Sequence, residues 1–295
     1  MSINNTISII VPAHNEEKSI YTTITNLHKV MGQTEYTYEI IAVNDGSTDN
    51  TYEELQKADA QVIHNNYNLG YGASLKLGIR HSNFDTIVIT DADGTYPEEE
   101  ILKLLDNYFI YNCDMVVGAR TGENVNIPLI RKPAKWCLTT LAKYLTRIDI
   151  PDLNSGLRVM KKTSVIPFFN VISPGFSFTT TVTLALHCND YLVRYIPINY
   201  LKRQGKSKIK PVRDTIDFFQ KIFRIVMYFK PLKIFAPIAL IPGFFGLVFL
   251  IRDLIKMNLA QTSILMLLTS FMILSIGLLA DLIDKRLVII TNIEK

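Results

Sequence analysis

The stretch VITDADGTYPEEEI, residues 88–101, runs an apolar segment straight into two aspartates, Asp91 and Asp93, with one alanine between them. Ile87, Val88 and Ile89 read as a strand. Pro97 and the three glutamates after it suit the positively polarised first turn of a helix. The unit is therefore strand–loop–helix, with both carboxylates at the strand's tip. Asp and Gly are also ordinary turn residues, so the neighbouring stretches decide between a plain turn and a site.

The same unit recurs along the chain. ISIIV (7–11) reads as a strand, and EKSIYTTITNLHKVM (17–31) places Ile20, Ile24, Leu27 and Met31 on one helical face. YEIIAVND (38–45) is a second strand, followed by the helical STDNTYEELQKA with Ser47 or Thr48 as its cap. AQVIHN (60–65) precedes a helix over 70–81, DTIVITD (85–91) precedes one over 97–108, and CDMVVGAR (113–120) is a fifth strand. Strands alternating with helices predict an α/β fold, a largely parallel sheet with helices on both faces. Strands without polar alternation fit burial on both sides.

In such a sheet the loops PAHNEE, NDGSTD and DADGTYP share one edge, where open α/β sheets bind ligands. Asp45, Asp91 and Asp93 are thus expected to converge. Converging carboxylates call for a cation, and a hard divalent ion, Mg²⁺ or Mn²⁺, shared with a ligand phosphate fits oxygen donors. The sequence has no His/Cys cluster of zinc type, and neither a P-loop nor a dinucleotide fingerprint where one would fall. Gly70 and Gly72 before a helix would let backbone approach a ligand.

Composition sets further bounds. The 295 residues suffice for one large or two smaller domains, and a net charge of +4 gives no argument for nucleic acid. Cys113, Cys137 and Cys188 show no paired spacing and read as reduced thiols in a cytosol-facing protein. The N-terminal residues lack the pattern of a signal peptide. Residues 232–251 and 262–283 hold one charge each. Each run matches the ~20 residues that cross a bilayer. Ten lysines and arginines lie between Lys202 and Lys233, Lys285 and Arg286 follow the second run, and only Arg252 and Lys256 lie between the runs. The positive-inside rule then places both ends of the hairpin, and the domain before it, on the cytoplasmic face of a cell membrane as a multi-pass protein. The expected organisation is a cytoplasmic domain over 1–210, an amphipathic interfacial helix over 211–231, and two spans with a short cytoplasmic tail over 232–295. Residues 130–148 show a second basic amphipathic pattern, with Arg131, Lys135, Lys143 and Arg147 opposite an apolar face. Trp136 and Tyr228 are expected at headgroup level.

SIIVPAHNEE, VNDGSTDNT, NLGYGASLKLGI, TDADGTYP, VVGAR, DLNSGLRVMKK and KRQGKSKI occur in an order that resembles glycosyltransferase family 2. Within it they resemble the polyprenyl-phosphate glycosyltransferases, such as dolichyl-phosphate mannose synthases and bactoprenol glucosyltransferases. The resemblance implies a GT-A nucleotide-binding fold with a C-terminal two-helix transmembrane hairpin. It implies metal-dependent, inverting transfer of a sugar from a nucleotide-sugar to undecaprenyl or dolichyl phosphate. By the same resemblance Pro12, Ala13, His14 and Glu16 line the base and ribose pocket, Asp45 reads the nucleobase, and Asp91 and Asp93 brace the metal on the diphosphate. Asp93, Arg120 and Arg131 are the implied catalytic residues. Arg203 closes on the nucleotide and the lipid phosphate, and Arg131 and Lys135 grip the acceptor phosphate. Asp152 is expected to orient Arg131 or that phosphate. His14 stands where many members have tyrosine, Gly94-Thr95 where many have Leu-Gln, and Lys135 where serine is common. UDP-glucose is slightly favoured as donor, with GDP-mannose and UDP-N-acetylglucosamine open, as is a homo-oligomer. A processive polysaccharide synthase and a non-catalytic, membrane-tethered nucleotide-sugar-binding protein are the competing functions. The first usually carries a Q/R-x-x-R-W motif, which this sequence lacks.

Overall fold

The computed structural model describes residues 5–121, 140, 143–144, 147–175, 177–201, 223, 227–228 and 230–293, the last ten by backbone alone. By internal contacts the chain divides into two units, Met1–Lys221 and Ile222–Lys295.

The first unit is built on a seven-stranded sheet: β1 (Thr6–Ala13), β2 (Thr37–Asp45), β3 (Gln61–Asn65), β4 (Thr86–Ile89), β5 (Met115–Ala119), β6 (Arg158–Lys161) and β7 (Val193–Pro197). Their order is β3-β2-β1-β4-β6-β5-β7. Only β6 runs against its neighbours, pairing antiparallel with both β4 and β5. The helices are α1 (Ile20–Met31), α2 (Thr51–Lys57), α3 (Tyr71–His81), α4 (Glu100–Ile110), the short α5 (Lys162–Val165) and α6 (Phe178–Cys188).

Strand alternation splits the buried apolar residues into two cores, one on each face. Ile7, Ile9 and Val11 pack with Ile24 and Leu27 of α1 and Leu104 of α4. Ile10, Val43 and Ile89 pack with Leu75 and Ile79 of α3 and Val182 of α6. Burial of each such side chain contributes about 1.5–3 kcal/mol, so both faces select this register. The parallel strands β1, β2, β4 and β5 end at one edge, and antiparallel β6 begins there.

Two helix starts differ from expectation. Neither Ser47 nor Thr48 caps α2, whose N-cap is Asn50. Ser47 Oγ instead accepts from the Asn15 N–H at 3.0 Å, and Thr48 N donates to Asn15 Oδ1 at 2.8 Å, so both residues tie the first two loops together. Pro97 does not open α4, which begins at Glu100. The preceding turn is closed by three-residue bonds, Glu100 N to Pro97 O at 3.0 Å and Ile101 N to Glu98 O at 3.1 Å.

The second unit contains α7 (Leu232–Ile255) and α8 (Gln261–Ile293). Pro237 and Pro242 lie inside α7 without ending it. Leu232–Ile255 and Gln261–Ile283 are long and apolar enough to cross a membrane, and only 11% of each apolar window is buried, which a soluble core helix would not show. The helices meet where Ser270 Oγ donates to the Ala239 carbonyl at 2.7 Å. Asp253, at the turn, accepts from Ala260 N at 3.1 Å and Ser263 Oγ at 2.7 Å, closing the hairpin. Helix α8 runs on to Ile293, so the segment expected as a tail is largely helical. The interfacial helix expected over 211–231, and the amphipathic one over 130–148, lie almost wholly outside the described residues.

Candidate active site

The D-x-D pair lies in the turn that follows β4. Ala92, between the aspartates, turns into the core at 3% exposure, and its carbonyl accepts from Thr23 Oγ1 at 3.3 Å. Asp91 and Asp93 are thereby held partly exposed beyond the tip of β4. Asp93 Oδ1 accepts from Thr95 Oγ1 at 2.6 Å and Thr95 N at 3.2 Å, which fixes the turn. Asp91 Oδ1 accepts from Tyr71 OH at 2.9 Å. On its other side lies Gly156, where an added Cβ would stand 2.6 Å from Asp91 Oδ2. Only glycine admits so close a carboxylate.

Asp45, at the end of β2, is 3% exposed. Its carboxylate receives Asn65 Nδ2 at 3.0 Å, Leu69 N at 2.9 Å and Gly70 N at 2.8 Å. Gly70 reaches this position at φ +100°, a conformation that side chains other than glycine rarely adopt. A carboxylate offers about four acceptor sites, so Asp45 chiefly ties the loop after β3 to the sheet edge. Tyr71 follows Gly70 directly, and one loop thus links Asp45 to Asp91. His14 Nδ1 lies 2.8 Å from the Asp45 carbonyl. A carbonyl only accepts, so Nδ1 carries the proton. Pro12 and Ala13 end β1 in buried positions, and Glu16 N donates to Thr51 Oγ1 at 2.8 Å.

Arg120 follows β5 and pairs with Asp152, which was expected to serve Arg131 or a phosphate. Arg120 Nε and an Nη donate to the two carboxylate oxygens at 2.7 and 3.0 Å, and its backbone N–H adds a third bond at 3.1 Å. The pairing is local because the turn before β6 delivers Asp152 beside the end of β5. Burial would lower the Arg120 pKa, but the bonds to Asp152 outweigh it and raise it. The guanidinium also lies 5.2 Å from the Tyr200 ring, which meets Tyr96 edge-on. Tyr96 OH accepts from Gly156 N at 2.7 Å. Burial first, then the Asp91 charge, pushes the Tyr71 and Tyr96 hydroxyls above their ordinary range. Both remain protonated at neutral pH.

Several of these residues escaped sequence reading. Arg158 is fully buried in β6, where it donates to the carbonyls of Ser155 at 2.8 Å and Leu153 at 2.9 Å and to Thr183 Oγ1 at 2.6 Å. It shapes the turn that carries Asp152 and Gly156. An arginine amid the lysines of RVMKK gives no sign of burial. Tyr71, Tyr96 and Tyr200 are equally silent, although Tyr71 stands in the glycine-rich stretch already noted. Arg131, Lys135 and Arg203 lie outside the described residues.

The donor set fits a hard divalent cation. Asp91 and Asp93 supply carboxylate oxygens, and no group of three or more His, Cys, Asp or Glu gathers among the described residues. Such a pair suits an ion whose shell is completed by phosphate oxygens and water.

Residues 8–169 match the model of glycosyl transferase family 2. The chain belongs to this family. Residues 230–285 match the GtrB C-terminal hairpin, so the family domain is followed by a membrane hairpin. The chain is 26% identical over 222 residues to a dolichyl-phosphate hexose transferase of Haloferax volcanii, covering 75% of this chain and 94% of that one. It is 25% identical over 214 residues to an undecaprenyl-phosphate mannosyltransferase of Micrococcus luteus, covering 68% and 86%. Among solved structures, glucosyl-3-phosphoglycerate synthase from Mycobacterium tuberculosis with Mn²⁺, UDP-glucose and phosphoglyceric acid aligns at TM-score 0.57 and 16% identity, over 75% of this chain and 78% of that one. At that identity the likeness establishes the fold, a GT-A glycosyltransferase sheet. The chain is a glycosyltransferase with a membrane hairpin, and its relatives by fold bind a divalent metal.

Proposed function

We propose that this family 2 chain transfers a sugar, with inversion, from a nucleotide-sugar to a polyprenyl monophosphate at the cytoplasmic face of a cell membrane. The observation that carries this reading is the union, in one chain, of a family 2 domain and a GtrB-type hairpin. A tethered domain suits an acceptor confined to the bilayer. The named relatives act on dolichyl and undecaprenyl phosphates. UDP-glucose remains slightly favoured as donor.

The nucleophile in this reading is a phosphate monoester, with a second pKa of about 6, so it attacks the anomeric carbon largely as the dianion without a strong base. The task of the protein is to bring two anions together. Asp45 and His14 set the loops that receive the base. Asp91 and Asp93 would hold Mg²⁺ or Mn²⁺, which when bound neutralises the leaving diphosphate as a Lewis acid. Arg120, fixed by Asp152, would face one of the anionic groups. Arg131, Lys135 and Arg203 would neutralise the lipid phosphate, arginine being suited to paired phosphate contacts. The interfacial segment over 211–231 and the hairpin would bring that phosphate to the domain.

The test offers UDP-glucose, UDP-N-acetylglucosamine and GDP-mannose, each labelled in the sugar, to the full chain in vesicles containing undecaprenyl or dolichyl phosphate. Metal-dependent appearance of label in the lipid fraction is expected with one donor. Nucleotide binding without labelled lipid from any donor would overturn the reading.

A further inference from the structure

Asn154 is an exposed residue in a buried turn. Its neighbours Asp152, Leu153 and Ser155 are 6, 9 and 0% exposed, whereas Asn154 itself is open to solvent. An exposed asparagine ordinarily turns freely. This one is held at both backbone and side chain. Its N–H donates to Asp152 Oδ1 at 3.0 Å, and its Oδ1 accepts from Thr180 Oγ1 at 2.7 Å. Thr180 is 1% exposed in the first turn of α6. With the oxygen end tied inward to a buried hydroxyl, the amide end points away from the turn. It carries two N–H donors and no acceptor.

The turn's other residues locate that amide. Two positions before it, Asp152 grips Arg120. Two positions after it, Gly156 backs the Asp91 carboxylate. Asn154 therefore lies on the segment that joins the arginine to the D-x-D pair, before β6 at the edge of the sheet. A charged phosphate is best met by cations, and Arg120 stands beside it. A neutral donor with fixed direction is suited to a neutral acceptor whose position differs between ligands.

We propose that the Asn154 carboxamide is a specificity-determining donor to a hydroxyl oxygen of the transferred sugar, with Thr180 as the positioning residue that fixes its direction. This rests on the function proposed above. Because the Thr180 bond restrains the amide, it distinguishes a hydroxyl on one face of the sugar ring from its epimer. Loss of a buried or partly buried neutral hydrogen bond lowers affinity about three- to tenfold, which sets the size of effect expected.

The test is calorimetric binding to the full chain in detergent with Mn²⁺, comparing UDP, UDP-glucose, UDP-galactose, UDP-N-acetylglucosamine, GDP and GDP-mannose. The wild-type chain should bind one nucleotide-sugar more tightly than its epimer. Asn154→Ala should weaken that nucleotide-sugar about three- to tenfold and narrow the gap to the epimer, while the bare nucleotide holds within about twofold. Asn154→Asp keeps the acceptor for Thr180 and the backbone bond but removes both donors and adds a charge, so it should lose discrimination, with the bare nucleotide reporting the effect of the charge alone. Thr180→Val should act in the same direction but more weakly, and Thr180→Ser should restore the wild-type pattern. Equal losses for nucleotide and nucleotide-sugar, or unchanged discrimination in Asn154→Asp, would overturn the proposal. So would an effect confined to the Michaelis constant for undecaprenyl phosphate, which would assign the amide to the acceptor. Transfer to lipid is measured separately: intact sugar discrimination through Asn154 without labelled lipid overturns the acceptor reading and leaves this one standing.

Discussion

Replacing Asp152 by alanine tests whether Arg120 is held by charge pairing. Asp152 accepts three hydrogen bonds from Arg120 and one from Asn154 N. The side chains are 24% and 8% exposed for Arg120 and Asp152 respectively. Breaking a sealed ion pair costs about 3–5 kcal/mol, because one charge is stranded without water. Arg120 retains partial access to solvent, which reduces the expected loss to about 2–3 kcal/mol. Arg120→Gln strands the less exposed partner and should cost at least as much. The double variant strands neither, so the two losses should fall short of additivity by about 1–3 kcal/mol. Chemical denaturation of the four solubilised proteins measures this, with sugar transfer followed in parallel. The pH dependence carries a definite sign. Burial would raise the Asp152 pKa, but the hydrogen bonds and charge of Arg120 prevail and hold it below its ordinary 3.8. The stabilisation is therefore complete above 3.8 and is lost as pH falls through the folded value. The stability gap between wild type and Asp152→Ala should stay flat from neutral pH down to that range and close below it. Additivity within about 0.5 kcal/mol, or a gap that opens and closes near neutral pH, would refute the pairing argument.

Asp91→Ala and Asp93→Ala should each abolish transfer in Mg²⁺ or Mn²⁺ in a chain that still folds, at a cost of about 1–3 kcal/mol for the hydrogen bonds lost; near-normal turnover in EDTA would remove the metal from the reading. Gly156→Ala places a methyl 2.6 Å from Asp91 Oδ2, so it should displace that carboxylate at a cost of about 1–3 kcal/mol and raise the Mn²⁺ concentration needed for half-maximal transfer. An unchanged metal titration would show that Asp91 is not held by this contact. Arg131→Ala should raise the Michaelis constant for lipid phosphate about ten- to a hundredfold, as for a lost charge-assisted bond, with donor binding unchanged. Lys135→Ser should cost less, and silence of both in a lipid titration would move the acceptor phosphate to Arg120 and Arg203.

The parallel half of the sheet was legible because burial on both faces writes itself as continuous apolar runs. Residues 7–11, 38–45 and 85–91 had no other economical reading, and β1, β2 and β4 lie there. The three loops at one edge followed from topology alone. The pairing within the site was not legible, for physical reasons. Strand β6 has four residues and pairs antiparallel on both sides, and half of RVMK is basic. A buried guanidinium satisfied by carbonyls looks, in sequence, like a solvated one. Asp152 could be placed near the site but not matched to a partner, since its distance to Arg120 depends on the turn that Arg158 shapes. Helix α6 was missed because its start, FTTTVT, is rich in β-branched threonines that read as strand or turn. Every residue of α6 is buried, and Thr180 and Thr183 are spent on Asn154 and Arg158.

Asp152, Tyr71, Tyr96 and Asp45 fix charges and loops and do not move protons. Asp152 is paired, and its lowered pKa makes it a poor base. Tyr71 and Tyr96 are held neutral by burial and by the Asp91 charge, so they act as a hydrogen-bond donor to Asp91 and an acceptor from Gly156. Asp45 is engaged by three N–H donors, one from the last residue of β3 and two from the loop after it. A sugar or alcohol acceptor would need a carboxylate or imidazole free to take its proton in the transition state. A phosphate monoester needs none, since it arrives already ionised. What it needs is cations on its approach and a neutralised leaving group, and those are the elements that Arg120 and the D-x-D pair could provide.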